Sequence, residues 1–337
     1  METKFKEQFI DIINSENPAS ILFVSSREYD RFGYRELLDK TGIKVTAFTD
    51  FEPCPETSSV KKGVRVLKKE NCDFIVTVGG GSAIDCAKGI KYFAKTDVKI
   101  LAVPTTAGTG AEVTKTSVLY NNGDKQSVKD VSIIPEYAVF DYTTLETLPR
   151  FQKIVTAYDA FCHAFEACLS KNGDRISHSL AADALGMFRT NFSAYINEDE
   201  SVYENMMTCS ELAGEAINIA STTAPHAFSY KLHKLKGFAH GQACVISLVY
   251  IWKYMYEYTD DNELIKMLKA LERLTGYNPN SLEFELKELG LLSEITMTED
   301  EFEETVNGVN LERIANNPMP FDIDDVRKIY SMFIRVV

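Results

Sequence analysis

No two of the seven cysteines in this 337-residue chain are spaced as Cys-x-x-Cys. Their odd, scattered set (54, 72, 86, 162, 168, 209 and 244) argues against both a zinc ribbon and a disulfide framework. Reduced thiols and a cytoplasmic location are the expectation. Basic charge is also scarce: 36 lysines and arginines face 49 acids, a net charge of −13, which argues against a broad nucleic-acid or anionic-membrane surface. A local positive pocket for a small anion is still compatible with that balance. The most apolar stretch, residues 243–252, is about half the length that a bilayer span requires. No basic start followed by an apolar core and a small-residue cleavage site opens the chain, so no secretory signal is expected. An intact Gly-x-x-x-x-Gly-Lys-[Ser/Thr] motif is missing too, which speaks against a P-loop kinase or ATPase. With only five histidines, the position of each is informative.

The chain is long enough for two cores, and 45% hydrophobic with 25% charged residues suits a globular protein. Short apolar runs at 20–25, 44–48, 73–78 and 99–103 alternate with helical patterns near 34–40, 58–69 and 84–93. That order predicts a parallel sheet covered by helices, with ligands at the carboxyl ends of the strands. From residue 151 the pattern turns helical, over 151–169, 176–195, 201–220 and 241–258, then near 261–274, 281–289, 299–310 and 324–333. Pro149-Arg150 marks the boundary, giving an α/β domain over 1–150 and an all-α domain over 151–337.

Gly79, Gly80, Gly81 and Ser82 stand between the third predicted strand and the next helix. Glycine lets backbone approach a phosphate, and the free N–H groups of a helix start can bind its oxygens. Ser82 is expected to cap that helix, with Asp85 completing an acidic first turn. A second polar turn, Pro104 to Thr114, also follows a buried strand and carries Thr105, Thr106 and Thr109. Two such turns on one sheet point to a shared nucleotide cofactor. Lys88 is placed to approach phosphate or to lie on a solvated helix face.

Asp159 and His163 are four residues apart on a helical pattern and project from one face. His226 and His240 each lie beside a proline or glycine where a helix can begin. One carboxylate and three imidazoles suit Fe²⁺ or Zn²⁺ better than Mg²⁺ or Ca²⁺, which favour oxygen shells. His178 reads as a helix-surface residue, His233 as a cleft or surface residue, and Cys162 as structural.

Together these segments resemble the iron-containing, or group III, alcohol dehydrogenase family. The resemblance runs through residues 79–88, 104–114, 140–149 and 159–164, then His226 and 239–241, and covers most of the chain. It implies an N-terminal dinucleotide-binding α/β domain and a C-terminal helical metal domain, as in dehydroquinate synthase-like folds, with the active cleft between them. The family's ligand pattern maps onto Asp159, His163, His226 and His240, and its pyrophosphate turn onto Gly79, Gly80, Gly81 and Ser82. Thr105, Thr106 and Thr109 match positions lining the cofactor site. The implied activity is NADH- or NADPH-linked interconversion of small aldehydes and alcohols with bound Fe²⁺ or Zn²⁺, often in a homodimer. A metal-dependent lyase acting on a phosphorylated sugar is a more distant alternative.

Two departures from the pattern matter. Many members carry a histidine four residues after the third ligand, where this chain has Tyr230; Tyr230, His233 or water on the nicotinamide ribose then delivers the proton. After the first strand, Ser26 stands where many NAD-dependent relatives have aspartate. Without that carboxylate an added ribose phosphate is not repelled, and Arg27 can attract it. Residues 216–230 look most like the phosphonoacetaldehyde reductase branch, for which Lys231, Lys234, Lys236 or Arg175 would hold the anionic phosphonate tail.

Overall fold

The computed structural model describes residues 2–26, 29–121 and 124–337. Two compact units make up the chain: Met1–Pro149 with Glu198–Met207, and Arg150–Asn197 with Thr208–Val337. The segment at 198–207 belongs with the first unit although it follows two helices of the second, an excursion that one cut in the sequence cannot express.

In the first unit, β1 (Ser20–Ser25), β2 (Lys44–Phe48), β3 (Phe74–Gly79), β4 (Lys99–Pro104) and β5 (Tyr137–Ala138) form one parallel sheet in the order β2-β1-β3-β4-β5. Strands β1, β3 and β4 are nearly all apolar because both faces are covered, and successive side chains enter opposite cores. Leu22, Val24 and Ile75 pack with Val60 and Leu67 of α3 (Thr57–Lys69) and with Ala87 and Ile90 of α4 (Gly81–Ala94). Ile21, Phe23, Phe74 and Val76 face Phe9 and Ile13 of α1 (Glu2–Glu16) and Leu38 of α2 (Tyr34–Asp39). The chain leaves β1 toward one edge for β2 and returns to β3 on the other side. Such a reversal opens a crevice at the carboxyl ends of β1 and β3, the usual ligand position of doubly wound sheets.

The second unit is helical: α5 (Arg150–Leu169), α6 (Arg175–Ile196), most of α7 (Tyr203–Ala220), α8 (Ala224–Lys236), α9 (His240–Tyr258), α10 (Asn262–Thr275), α11 (Pro279–Glu288), α12 (Glu299–Asn307) and α13 (Ile323–Ser331). Helix α9 is buried on every side from Gly241 to Trp252, so its apolar run is that of a central helix. Among the described residues no helix is long and apolar enough to cross a membrane. The all-α expectation needs one amendment, a short parallel pair of β6 (Ile295–Met297) and β7 (Ile334–Val336). Strands of three residues lie below the length at which periodicity is readable.

Candidate functional site

Ser25 Oγ donates to Val78 O at 2.6 Å, tying the ends of β1 and β3 together, and Thr105 N donates to Gly79 O at 3.1 Å, tying β3 to β4. The two polar turns abut. A Cβ at Gly81 would stand 2.7 Å from Thr109 Cγ2, and one at Gly80 would stand 3.1 Å from Thr106 Cγ2. Side chains there would push the turns apart.

The cap of α4 differs from expectation. The helix starts at Gly81, its cap position is Gly80 with no side-chain cap, and Ser82 Oγ instead accepts from Cys54 N at 3.3 Å. Asp85 therefore falls in the second turn. A side chain at Gly80 would crowd Thr106, which would have to give by a few tenths of an ångström. Among the described residues no side chain caps the first turn, which leaves its N–H groups suited to an anion. Ser26 is exposed at the end of β1; Arg27 lies outside the described residues.

Lys88 does not reach for solvent or phosphate. It is wholly buried and donates to Ala111 O at 2.7 Å and Thr114 Oγ1 at 3.2 Å, pinning the second turn to α4. Burial pushes the Asp85 carboxyl up to about 6, against the pull of Lys88 and the Val118 N–H. The same burial pushes Lys88 down to about 8, opposed by Asp85 and Glu112.

In the second unit, α5 presents Asp159, His163 and Glu166 at i, i+4 and i+7 on one face. Pro225 in its first turn starts α8 just before His226, and His240 opens α9. Helices α5 and α9 cross closely because residue 241 is glycine; a Cβ there would stand 1.9 Å from Val155 O. That approach brings the four groups together. Asp159 Oδ1 lies 3.5 Å from His226 Nε2, 3.7 Å from His240 Nε2 and 4.0 Å from His163 Nε2. The imidazoles of His163 and His226 stack at 4.7 Å. His240, a third exposed, marks the open side.

Asp159 Oδ1 and His226 Nε2 are buried, yet among the described residues neither makes a hydrogen bond of good geometry. Such atoms are costly unless a ligand satisfies them. Groups sharing one tetrahedral ion at roughly 2.0–2.2 Å stand roughly 3.4 Å apart, so the observed spacings fit a divalent cation. The mixed oxygen and nitrogen donors favour a transition metal or zinc. Burial works against a charged Asp159, but the His163, His240 and His226 imidazoles outweigh it and hold the carboxyl well below the usual range. Burial likewise opposes a charged His226, while Cys244 and Glu166 more than offset it and raise the imidazole well above its ordinary value. An incoming metal displaces that proton.

Two contributors are not apparent from residue spacing alone. Glu166, fully buried, pairs with His226 Nδ1 and accepts from Thr223 N at 2.6 Å and Thr223 Oγ1 at 3.0 Å. The pairing assigns the tautomer that turns the His226 Nε2 lone pair toward Asp159. The seven-residue spacing from Asp159 puts Glu166 on the same face of α5 but does not by itself name His226 as its partner. Cys244, one turn beyond His240, joins Asp159, His226 and His240 in a group whose ligand atoms all lie within 4.8 Å of one another. Burial raises its thiol, against the pull of His226.

Tyr230 is half-buried, one turn beyond His226. His233 Nδ1 donates to Phe238 O at 2.5 Å, fastening the end of α8. The lysine cluster is already neutralised in part: Lys231 Nζ bonds Glu304 Oε1 at 2.7 Å and Lys236 Nζ bonds Glu301 Oε2 at 2.8 Å. Arg175 opens α6.

Comparison with known proteins adds the family context. Residues 7–142 match the model of iron-containing alcohol dehydrogenases, and residues 153–334 match that of the C-terminal part of the same family. Over 239 residues the chain is 34% identical to 1,3-propanediol dehydrogenase of Citrobacter freundii, covering 64% of this chain and 61% of that one. The chain spans less than two thirds of several curated relatives that it matches, between 58% and 61% of their lengths. An iron-containing alcohol dehydrogenase from Thermotoga maritima superposes with a TM-score of 0.88 at 27% identity, over 98% of this chain and 95% of that one. Sulfoacetaldehyde reductase from Bifidobacterium kashiwanohense, solved with NAD⁺, gives 0.81 at 25% identity over 98% and 94%.

Proposed function

The chain belongs to the iron-containing alcohol dehydrogenase family, and on that premise we propose that it interconverts a small aldehyde and its primary alcohol or diol with a nicotinamide cofactor and a divalent metal. The observation that carries this reading is the buried Asp159 oxygen with three imidazole nitrogens 3.5–4.0 Å away. Asp159, His163, His226 and His240 would hold the metal, Fe²⁺ or Zn²⁺. When bound, the metal supplies Lewis-acid polarisation of a carbonyl and the nicotinamide supplies the hydride.

The remaining work falls to the protein. Asp159 contributes the one negative charge of the donor set, and Glu166 keeps His226 in the tautomer that presents Nε2. Gly79 to Ser82 offer uncapped N–H groups to the cofactor pyrophosphate, while Thr105, Thr106 and Thr109 form the adjoining wall. Ser26 at the end of β1 places no carboxylate against a ribose phosphate, which supports use of NADPH beside NADH. The Tyr230 hydroxyl or the His233 imidazole would deliver the proton to the product oxygen. His233 holds Phe238 O through Nδ1, so Nε2 is the nitrogen for that task.

Propanediol and sulfoacetaldehyde, named for two relatives, are both short two- or three-carbon compounds, which supports a small substrate. Phosphonoacetaldehyde belongs in the same test. The pairing of Lys231 and Lys236 with glutamates weighs against a dedicated phosphonate cradle there. The test is oxidation of NADH or NADPH by the protein loaded with Fe²⁺ or Zn²⁺ over a panel of short aldehydes, the phosphonate included. Turnover of none of them with either metal would overturn the proposal.

A further inference from the structure

Taking the cluster as a divalent metal centre, we infer that the Cys244 sulfur enters the metal's coordination shell as a donor additional to Asp159, His163, His226 and His240. His240 and Cys244 are four residues apart and share one face of α9. Cys244 Sγ stands 3.8 Å from His240 Nε2 and 4.0 Å from His240 Nδ1, and it is fully buried. Zinc ligands at roughly 2.3 Å for sulfur and roughly 2.0–2.1 Å for nitrogen stand about 3.6 Å apart in a tetrahedron. The His240–Cys244 spacing is therefore close to that of two ligands on one ion, and the Asp159 and His226 ligand atoms lie within 4.8 Å of the sulfur. The second observation comes from the facing helices: the buried Asp159 Oδ1 and His226 Nε2 stand 3.5 Å apart and, among the described residues, neither makes a hydrogen bond of good geometry.

Coordination would form a sulfur–metal bond as the S–H proton leaves to solvent, with no electron transferred. A thiolate softens a set otherwise built of imidazole and carboxylate, which moves selectivity toward Zn²⁺ and away from Mn²⁺ and Mg²⁺. Cys162 provides the control. It is equally buried, one turn before Glu166 on α5, and lies outside the group of mutually close donors.

The test uses Co²⁺ alone, added to metal-free full-length protein and followed by absorption spectroscopy. The expected result is an intense near-ultraviolet thiolate-to-cobalt band in the unaltered protein and in Cys162→Ala, lost in Cys244→Ser and Cys244→Ala. The weak visible bands of bound cobalt persist in all four. An unaltered protein with the visible bands but no charge-transfer band overturns the inference without needing any variant, and so does a band that survives in Cys244→Ser. Failure of Co²⁺ to produce visible bands in the unaltered protein overturns the metal centre itself and the sulfur ligand with it.

Discussion

Glu166 and His226 are joined through the imidazole Nδ1 inside a region where the carboxylate has no exposure to solvent. The acid cannot be replaced by water, so its removal changes what His226 can present. Glu166→Gln supplies an amide donor where Thr223 N already donates, and one of the two bonds must fail. A hydrogen-bonded partner behind a ligating histidine is generally worth 10–100-fold in metal affinity, and a loss of about that size is expected. Chelator competition with Zn²⁺ measures it. Unchanged affinity in Glu166→Gln would remove Glu166 from the site.

Gly241→Ala is expected to destabilise the second unit by about 1–3 kcal/mol, because the new methyl meets the Val155 carbonyl rather than a movable side chain. His240, the preceding residue, would be displaced with it. Urea unfolding and metal titration should therefore report losses together; a destabilised variant that binds metal as tightly as the unaltered protein would show that the close crossing is not what positions His240.

Lys88→Met removes the buried cation whose charge opposes the burial cost of the Asp85 carboxylate, and leaves Ala111 O and Thr114 Oγ1 without their donor. Leaving a buried polar group without its partner costs about 1–3 kcal/mol. The double variant Asp85→Asn/Lys88→Met should regain part of that loss in thermal unfolding, and equal stability of the single and double variants would contradict the charge coupling of the two residues.

The same pair has a signed pH dependence. Asp85 is raised from 3.8 to about 6, so between those values the folded protein binds more protons than the unfolded chain and stability falls as pH rises. Lys88 is lowered from 10.5 to about 8, so across that window the unfolded chain binds more protons and stability rises with pH. Asp85→Asn, compared with the unaltered protein, should therefore gain relative stability from pH 4 to 6. A flat difference across that range would show that Asp85 is not held up by burial.

Ser26→Asp tests the cofactor choice. A unit charge about 4 Å from another changes their interaction by about 1 kcal/mol even in bulk water. The variant should bind NADPH about fivefold more weakly or worse, with NADH little changed, in a fluorescence titration. Equal loss for both cofactors would mean that residue 26 does not face the ribose.

Much of this molecule is legible in one dimension because its signals are local. The apolar runs that become β1, β3 and β4 are set by burial on both faces. The i, i+4 pair of Asp159 and His163 needs only helix periodicity. The cap of α4 was not legible: Ser82 has the chemistry of a cap, but the helix begins at Gly81 and the Ser82 hydroxyl instead accepts from Cys54 N, 28 residues earlier. Lys88 looks like a surface lysine until the turn at Ala111 and Thr114 folds over it. Lys231 and Lys236 read as a free basic patch because their partners, Glu304 and Glu301, arrive on α12 from more than sixty residues away.

By itself the sequence determined the succession of strands and helices, the glycine turn and the identity of the ligand-bearing residues, since residue type and short-range spacing suffice for each. Only the tertiary structure decided that Glu166 stands behind His226, that Cys244 turns toward the same point, and that Asp159 meets imidazoles from α8 and α9. Those relations depend on how closely helices cross, and here one crossing is set by a missing side chain at Gly241.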